Sequence, residues 1–224
     1  MDILHINSIK KEFFTGHEKI EVLKDINLVV TQGTTVLITG ESGSGKTTLL
    51  NLIAGMDSPT SGKILIRGIE VTALTEEELT QFRRNTIGII FQFHFLLKGF
   101  NALENVMMPA FIAGIPGKKA KKRAEQLLND VNLLHRKNHY LVQLSGGERQ
   151  RVAVARSLMN DPDIIIADEP TGNLDEKNSK NVEDILFDLV KRYNKTLLLV
   201  THDRNLAGRG NRHFAIEHGV LNLQ

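Results

Sequence analysis

The chain has 224 residues, enough for one large domain or two small ones with a well-buried core. Its 28 basic and 26 acidic side chains leave a formal charge of +2, which excludes a nucleic-acid binder relying on a broad basic surface. A hydrophobic content of 41% with 18 glycines excludes disorder and collagen-like repeats, and the lack of cysteine excludes disulfides, Cys-ligated zinc and a thiol nucleophile.

In chain order, the N-terminal apolar positions at 3–9, 21–23 and 26–30 alternate and predict antiparallel strands. No run reaches the roughly 18 apolar residues of a membrane-spanning helix, and MDILHINSIKKEFF lacks the basic-then-apolar order of a signal peptide. The chain is therefore expected on the cytoplasmic side, with any spanning left to a partner. Residues 35–39, 163–167 and 196–201 are short, Ile/Leu/Val-rich runs that predict buried parallel strands, each followed at once by polar residues. Such folds bind ligands at the carboxyl ends of their strands.

Directly after the first of these strands come Gly40, Glu41, Ser42, Gly43, Ser44, Gly45, Lys46 and Thr47, with Thr48 beside them and a predicted helix over 46–54. The glycines let successive amides point at one anion, and the helix adds its positive end. Lys46 is placed to reach β- and γ-phosphates, and the Thr47 hydroxyl to ligate Mg²⁺. Thr75 and Glu78 form a capping box for a helix to about residue 84. Residues 94–161 read as helix-rich, without a clear buried strand. Within them, Ser145-Gly-Gly-Glu148 is both a capping box for a helix over 148–158 and, through its free amides, an anion site. The run Lys118-Lys-Ala-Lys-Lys-Arg123 reads as the solvated start of a helix.

The second buried strand ends in Asp168 and Glu169. An acidic residue after a strand is more often a loop or helix cap, but behind a phosphate loop Asp168 suits a Mg²⁺ ligand and Glu169 a general base for water. A helix over 177–193 carries Val182, Ile185, Leu186, Leu189 and Val190 on one face. The last buried strand ends in Thr201-His202-Asp203, where His202 could contact the γ-phosphate.

These motifs, in this order, resemble the ATPase subunit of ATP-binding-cassette (ABC) transporters over the whole chain. The resemblance implies an α/β P-loop NTPase fold with a RecA-like core, an N-terminal antiparallel β subdomain and an inserted helical subdomain. It would be a single ATP-binding domain over 1–224, with its α/β core at about 1–93 and 162–224 and its helical part at about 94–161. It implies ATP and Mg²⁺ as ligands, with Phe13, or its neighbour Phe14, stacking on adenine. Gln92 matches the family glutamine that touches Mg²⁺ or the attacking water and links to the membrane partner. Ser145, Gly146 and Gly147 would face the nucleotide of a second copy, and Asp175 lies in the loop that crosses between copies. The implied assembly is a head-to-tail homodimer bound to integral membrane permease subunits at the cytoplasmic face of the inner membrane.

Within the family, Ile87-Gly-Ile-Ile-Phe-Gln-Phe-His94 with Leu96-Leu97, and then Asn101-Ala-Leu-Glu-Asn-Val-Met-Met-Pro109, resemble the lipoprotein-releasing ATPases of Gram-negative bacteria. Macrolide-export and cell-division ATPases are near neighbours. The alternatives are thus an exporter ATPase or a non-transport cell-division ATPase. The chain departs from the pattern at Phe95, Lys98 and Leu141, and has His218 before Gly219 where Asp is common.

Overall fold

The computed structural model describes residues 1–16 and 18–224. The chain forms β1 (Asp2–Thr15), β2 (Glu18–Thr31), β3 (Thr35–Thr39), α1 (Lys46–Ile53), β4 (Ser61–Ile66), β5 (Ile69–Glu70), α2 (Glu76–Thr86) and β6 (Ile87–Ile90). It continues with α3 (Ala102–Ile112), α4 (Gly117–Asp130), α5 (Gly146–Ser157), β7 (Ile164–Asp168), α6 (Glu176–Arg192), β8 (Thr196–Val200), β9 (Arg212–Glu217) and β10 (Val220–Leu223). Two compact units result, Met1–Arg83 with Thr196–Gln224, and Arg84–Lys195. No helix among the described residues is long and apolar enough to cross a membrane.

In the first unit, β2, β1, β4 and β5 form an antiparallel sheet in that order. Ile3, Leu4, Ile6 and Ile9 of β1 are buried while Asn7, Ser8 and Lys10 are exposed, the one-sided burial expected of a sheet covered on one face. β10, β9, β3 and β8 lie side by side, with β9 and β8 parallel to β3. Every residue of β3 and β8 is buried, so these strands read as continuous apolar runs, as the sequence predicts. The capping box at the start of α2 is present: Thr75 N donates to Glu78 Oε2 at 2.8 Å and Glu78 N to Thr75 Oγ1 at 3.3 Å. The two-residue turn between β9 and β10 needs positive φ at both positions, and His218 (50°) and Gly219 (81°) supply it.

In the second unit, β6 and β7 pair in parallel from Ile87↔Ile164 to Ile90↔Ala167. Helices α3, α4 and α5 bury apolar faces that include Val106 and Ala110, Leu127 and Leu128, and Val152 and Val154. Helix α6 buries Val182, Leu186, Leu189 and Val190, the stripe read from its spacing. Strand β6 is not separable in the sequence: four residues inside a long uncharged segment show no period. Gly88 lets it approach the α5 terminus, where a Cβ would stand 2.3 Å from the Ser157 carbonyl oxygen. The unit boundaries at 84 and 195 group β6, β7 and α6 with the helices, whereas the sequence-based helical part spans 94–161.

Candidate functional site

The phosphate loop lies wholly in the first unit and is built on backbone. β3 delivers the chain to Gly40, where a Cβ would lie 2.6 Å from both Ile216 O and Ser44 Oγ, so only glycine fits. Gly45, the N-cap of α1, holds φ at 101°, a conformation that excludes most side chains. Lys46 is buried and folds back over the loop, its Nζ donating to Gly40 O at 2.9 Å and Glu41 O at 2.7 Å. Ser44 Oγ is buried with no hydrogen-bond partner, and the first turn of α1 carries no acidic side chain. A buried ammonium, an unspent hydroxyl and an unneutralised helix N-terminus together make an environment for an anion. Ser42 and Gly43 are exposed at the loop's tip, and Thr47 and Thr48 lie on the first turn of α1.

Two further predicted residues belong to this unit. Phe13, 41% exposed, has the Lys11 ammonium over its ring at 4.8 Å, whereas Phe14 is 73% exposed, so the two neighbouring rings stand in different surroundings. His202 is exposed just beyond β8, where Thr201 N donates to Ile38 O of β3 at 3.2 Å and Asp203 N to Thr201 Oγ1 at 3.0 Å.

The second unit carries the carboxylates. Asp168 ends β7, and Glu169 follows with φ 42°, a strained backbone for glutamate of the kind held at functional positions. Gly172 N donates to Glu169 O at 3.1 Å, turning the chain back. Glu169 and Gln92 converge beside Gly172: a Cβ there would meet Gln92 Nε2 at 3.0 Å and Glu169 Oε2 at 3.3 Å. Asn173 Nδ2 holds Gln92 by its carbonyl at 3.3 Å. The sequence spacing of 77 positions between Gln92 and Glu169 is closed by the β6–β7 pairing.

Ser145 caps α5 as expected, donating its N–H to Glu148 Oε2 at 2.8 Å and accepting from Glu148 N at 3.2 Å. The helix, expected from residue 148, begins at Gly146, so Gly146 and Gly147 form its first turn. The Ser145 backbone hydrogen bond holds the Glu148 carboxyl below its usual range, with Arg136 and Arg151 adding to the effect. Asp175 caps α6, accepting from Asn178 N at 3.0 Å and Nδ2 at 2.6 Å, bonds that lower its carboxyl pKa. Asn178 also packs on Gly147, where a Cβ would lie 2.8 Å from its Oδ1. Asn178 thus connects Asp175 to the signature turn, Ser145-Gly-Gly, and nothing in the sequence pattern singles it out.

The loop after Gln92 is fastened by its backbone. Arg156 donates to Phe95 O at 2.7 Å and His94 O at 2.8 Å, and Gln150 Nε2 to Phe91 O at 3.0 Å. Buried Asn105 accepts from Leu97 N at 2.7 Å and donates to the carbonyls of Phe100 and Asn101. Burial, then the Arg149 and Arg156 charges, push the His94 imidazole below its usual pKa and favour its neutral form. The fastened loop presents Phe93 and Phe95, each 62% exposed.

Residues 23–172 match the family model described as ABC transporter. The chain belongs to the ABC transporter family. Among curated relatives it is 50% identical over 220 residues to the lipoprotein-releasing system ATP-binding protein LolD of Treponema denticola, covering 98% of this chain and 97% of that protein. LolD of Bacteroides fragilis is 49% identical over 205 residues, 92% of this chain and 93% of its own length. Two solved structures of the ABC cassette MJ0796 cover 98% of this chain and 96% of their own. One, a dimeric post-hydrolysis state bound to ADP and Pi, is 39% identical with a TM-score of 0.89. The other, a dimeric structure described as a bacterial ABC transporter cassette, is 40% identical with a TM-score of 0.90. The fold is that of ABC ATPases, a P-loop NTPase fold with an antiparallel β subdomain, and the similarity is that of a LolD-like ATPase subunit.

ABC ATPases use Mg²⁺ with nucleotide, and the donors present suit that ion. Among the described residues no cluster of three or more His, Asp or Glu side chains could hold a metal by itself. Mg²⁺ keeps its waters and is commonly bound by one or two protein groups plus substrate phosphates, so a hydroxyl on the first turn of α1 or a carboxylate at the end of β7 is a donor of the kind it takes.

Proposed function

We propose that the chain is the ATP-hydrolysing subunit of a lipoprotein-releasing ABC transporter, working as one ATP-binding cassette at the cytoplasmic face of an inner membrane. The observation that carries this reading is similarity to LolD along 98% of the chain, joined to a phosphate loop with a buried lysine and an unspent hydroxyl. Residues 40–48 hold the triphosphate: their amides and the α1 N-terminus surround it, and Lys46 exchanges its carbonyl partners for phosphate oxygens. Phe13 stacks on adenine. Thr47, Gln92 and Asp168 are the residues that would hold Mg²⁺ with the phosphates, and the ion would supply charge neutralisation.

Glu169 accepts the proton of the attacking water, and its strained backbone, with Gln92 packed beside it, aims the carboxylate. His202 holds the γ-phosphate. Two copies associate head to tail, each presenting Ser145, Gly146 and Gly147 to the other's nucleotide, with Asp175 on the crossing loop. The fastened loop carrying Phe93 and Phe95 meets the membrane permease subunits, so closure around ATP is transmitted to them. Reconstitution with the permease subunits in lipid vesicles tests this: ATP-dependent release of an inserted lipoprotein is expected for the native chain and not for Glu169→Gln. Vesicles that hydrolyse ATP but release no lipoprotein would point to an exporter of another substrate.

A further inference from the structure

We propose that Lys11 is the positioning residue of the adenine platform, its anchored ammonium backing one face of the Phe13 ring and leaving the other face for the base. This inference rests on the reading that Phe13 stacks on adenine. Lys11 is only 9% exposed, and a buried ammonium needs its hydrogens satisfied. Two go to Asp57 Oδ1 at 2.8 Å and Ser58 O at 2.7 Å. The charge then lies over the Phe13 ring, 4.8 Å from its centroid, where the negative ring face attracts it. β2 carries an extra residue on either side of this point, since the pairs run Ile9↔Ile26, Lys11↔Leu23 and Glu12↔Glu21. The bulged strand is β2; on β1 Lys11 and Phe13 stand two positions apart and so share a face of the sheet.

The anchor matters because of where it leads. Asp57 and Ser58 follow the helix that Lys46 opens, and the same loop grips β1 twice more. Thr60 N donates to Lys10 O at 2.9 Å, and Glu12 N donates to Thr60 Oγ1 at 2.9 Å. The ring that would receive the base and the loop that would receive the phosphates are therefore tied through α1 and the loop after it, and of these ties Lys11 is the one that also touches the ring. Lys11 sets the distance between base and phosphate subsites and stiffens the ring that spans it.

The test separates base recognition from phosphate recognition by titrating the full chain calorimetrically with ATP and with tripolyphosphate, which has no base. Lys11→Met is expected to weaken ATP binding roughly three- to tenfold and leave tripolyphosphate binding within about twofold. Lys11→Arg should recover most of the loss. Asp57→Asn, which removes the charge of one anchor while the Ser58 carbonyl stays, should lower the ATP preference in the same direction by a smaller factor. Phe13→Ala should remove the preference, and adding Lys11→Met to it should change nothing more. Equal losses for both ligands in Lys11→Met and Asp57→Asn would make Lys11 a structural clamp on the loop and overturn the proposal. A Phe13→Ala chain that keeps its full ATP preference would instead remove the adenine platform itself, and the proposal with it.

Discussion

The phosphate loop and the carboxylate–signature region are built by opposite means. In the loop, the nine proposed site residues from 40 to 48 are consecutive, and what the loop offers is backbone with one lysine folded over it. In the other unit, Gln92, Ser145, Glu169 and Asp175 come from distant stretches and are set by side-chain bonds, helix caps and one strained backbone angle. A backbone site is robust to all but a few substitutions, because most side chains do not take part. A side-chain site can be disabled one function at a time.

That contrast orders the expected effects. Glu169→Gln removes the general base and should lower steady-state phosphate release by about 10² to 10⁴ while nucleotide affinity holds. Release at the native rate would take Glu169 out of its role. Lys46→Ala should weaken nucleotide binding by about 10- to 100-fold, the weight of a charge-assisted hydrogen bond, and a titration with unchanged affinity would break the assignment of the loop. Ser145→Ala removes the α5 cap and should cost about 1 kcal/mol in denaturant unfolding without altering the affinity of a single copy for ATP. A loss of single-copy affinity would mean that the signature turn contacts its own nucleotide.

The smallest effect is in acid. Glu148 is held below the usual glutamate range in the folded chain, so its contribution is present above that range and is lost as the pH falls through its folded value. Glu148→Gln keeps the capping hydrogen bond but not the charge, and should flatten the acid limb of thermal stability slightly. An acid limb identical to that of the native chain would assign the pH dependence to other groups.

The same contrast explains what could be read from the sequence. The loop, β3, β8, the α6 stripe and the caps at Thr75 and Ser145 are legible because each is a local pattern: a glycine spacing, an apolar run, a period, or a box of four residues. Strand β6 and the β9–β10 hairpin are not, since four apolar residues have no period and a His-Gly turn replaces the more telling Asp-Gly. The start of α5 at Gly146 was hidden for a related reason: glycines read as loop until the cap geometry draws them into the helix. Lys11, Asn105, Arg156 and Asn178 carry no pattern at all. Their work is done across sequence separations of 46, 8, 62 and 31 residues, through contacts that exist only in the folded chain.

In the proposed assembly a nucleotide site is complete only between copies, the phosphate loop of one chain meeting Ser145 of the next. Sedimentation of the Glu169→Gln chain with and without ATP tests this most directly. ATP should bring this chain to a dimer that Ser145→Arg, introduced into the same background, returns to monomer while ATP still binds. A chain that stays monomeric with ATP bound, or a dimer that survives Ser145→Arg, would contradict it.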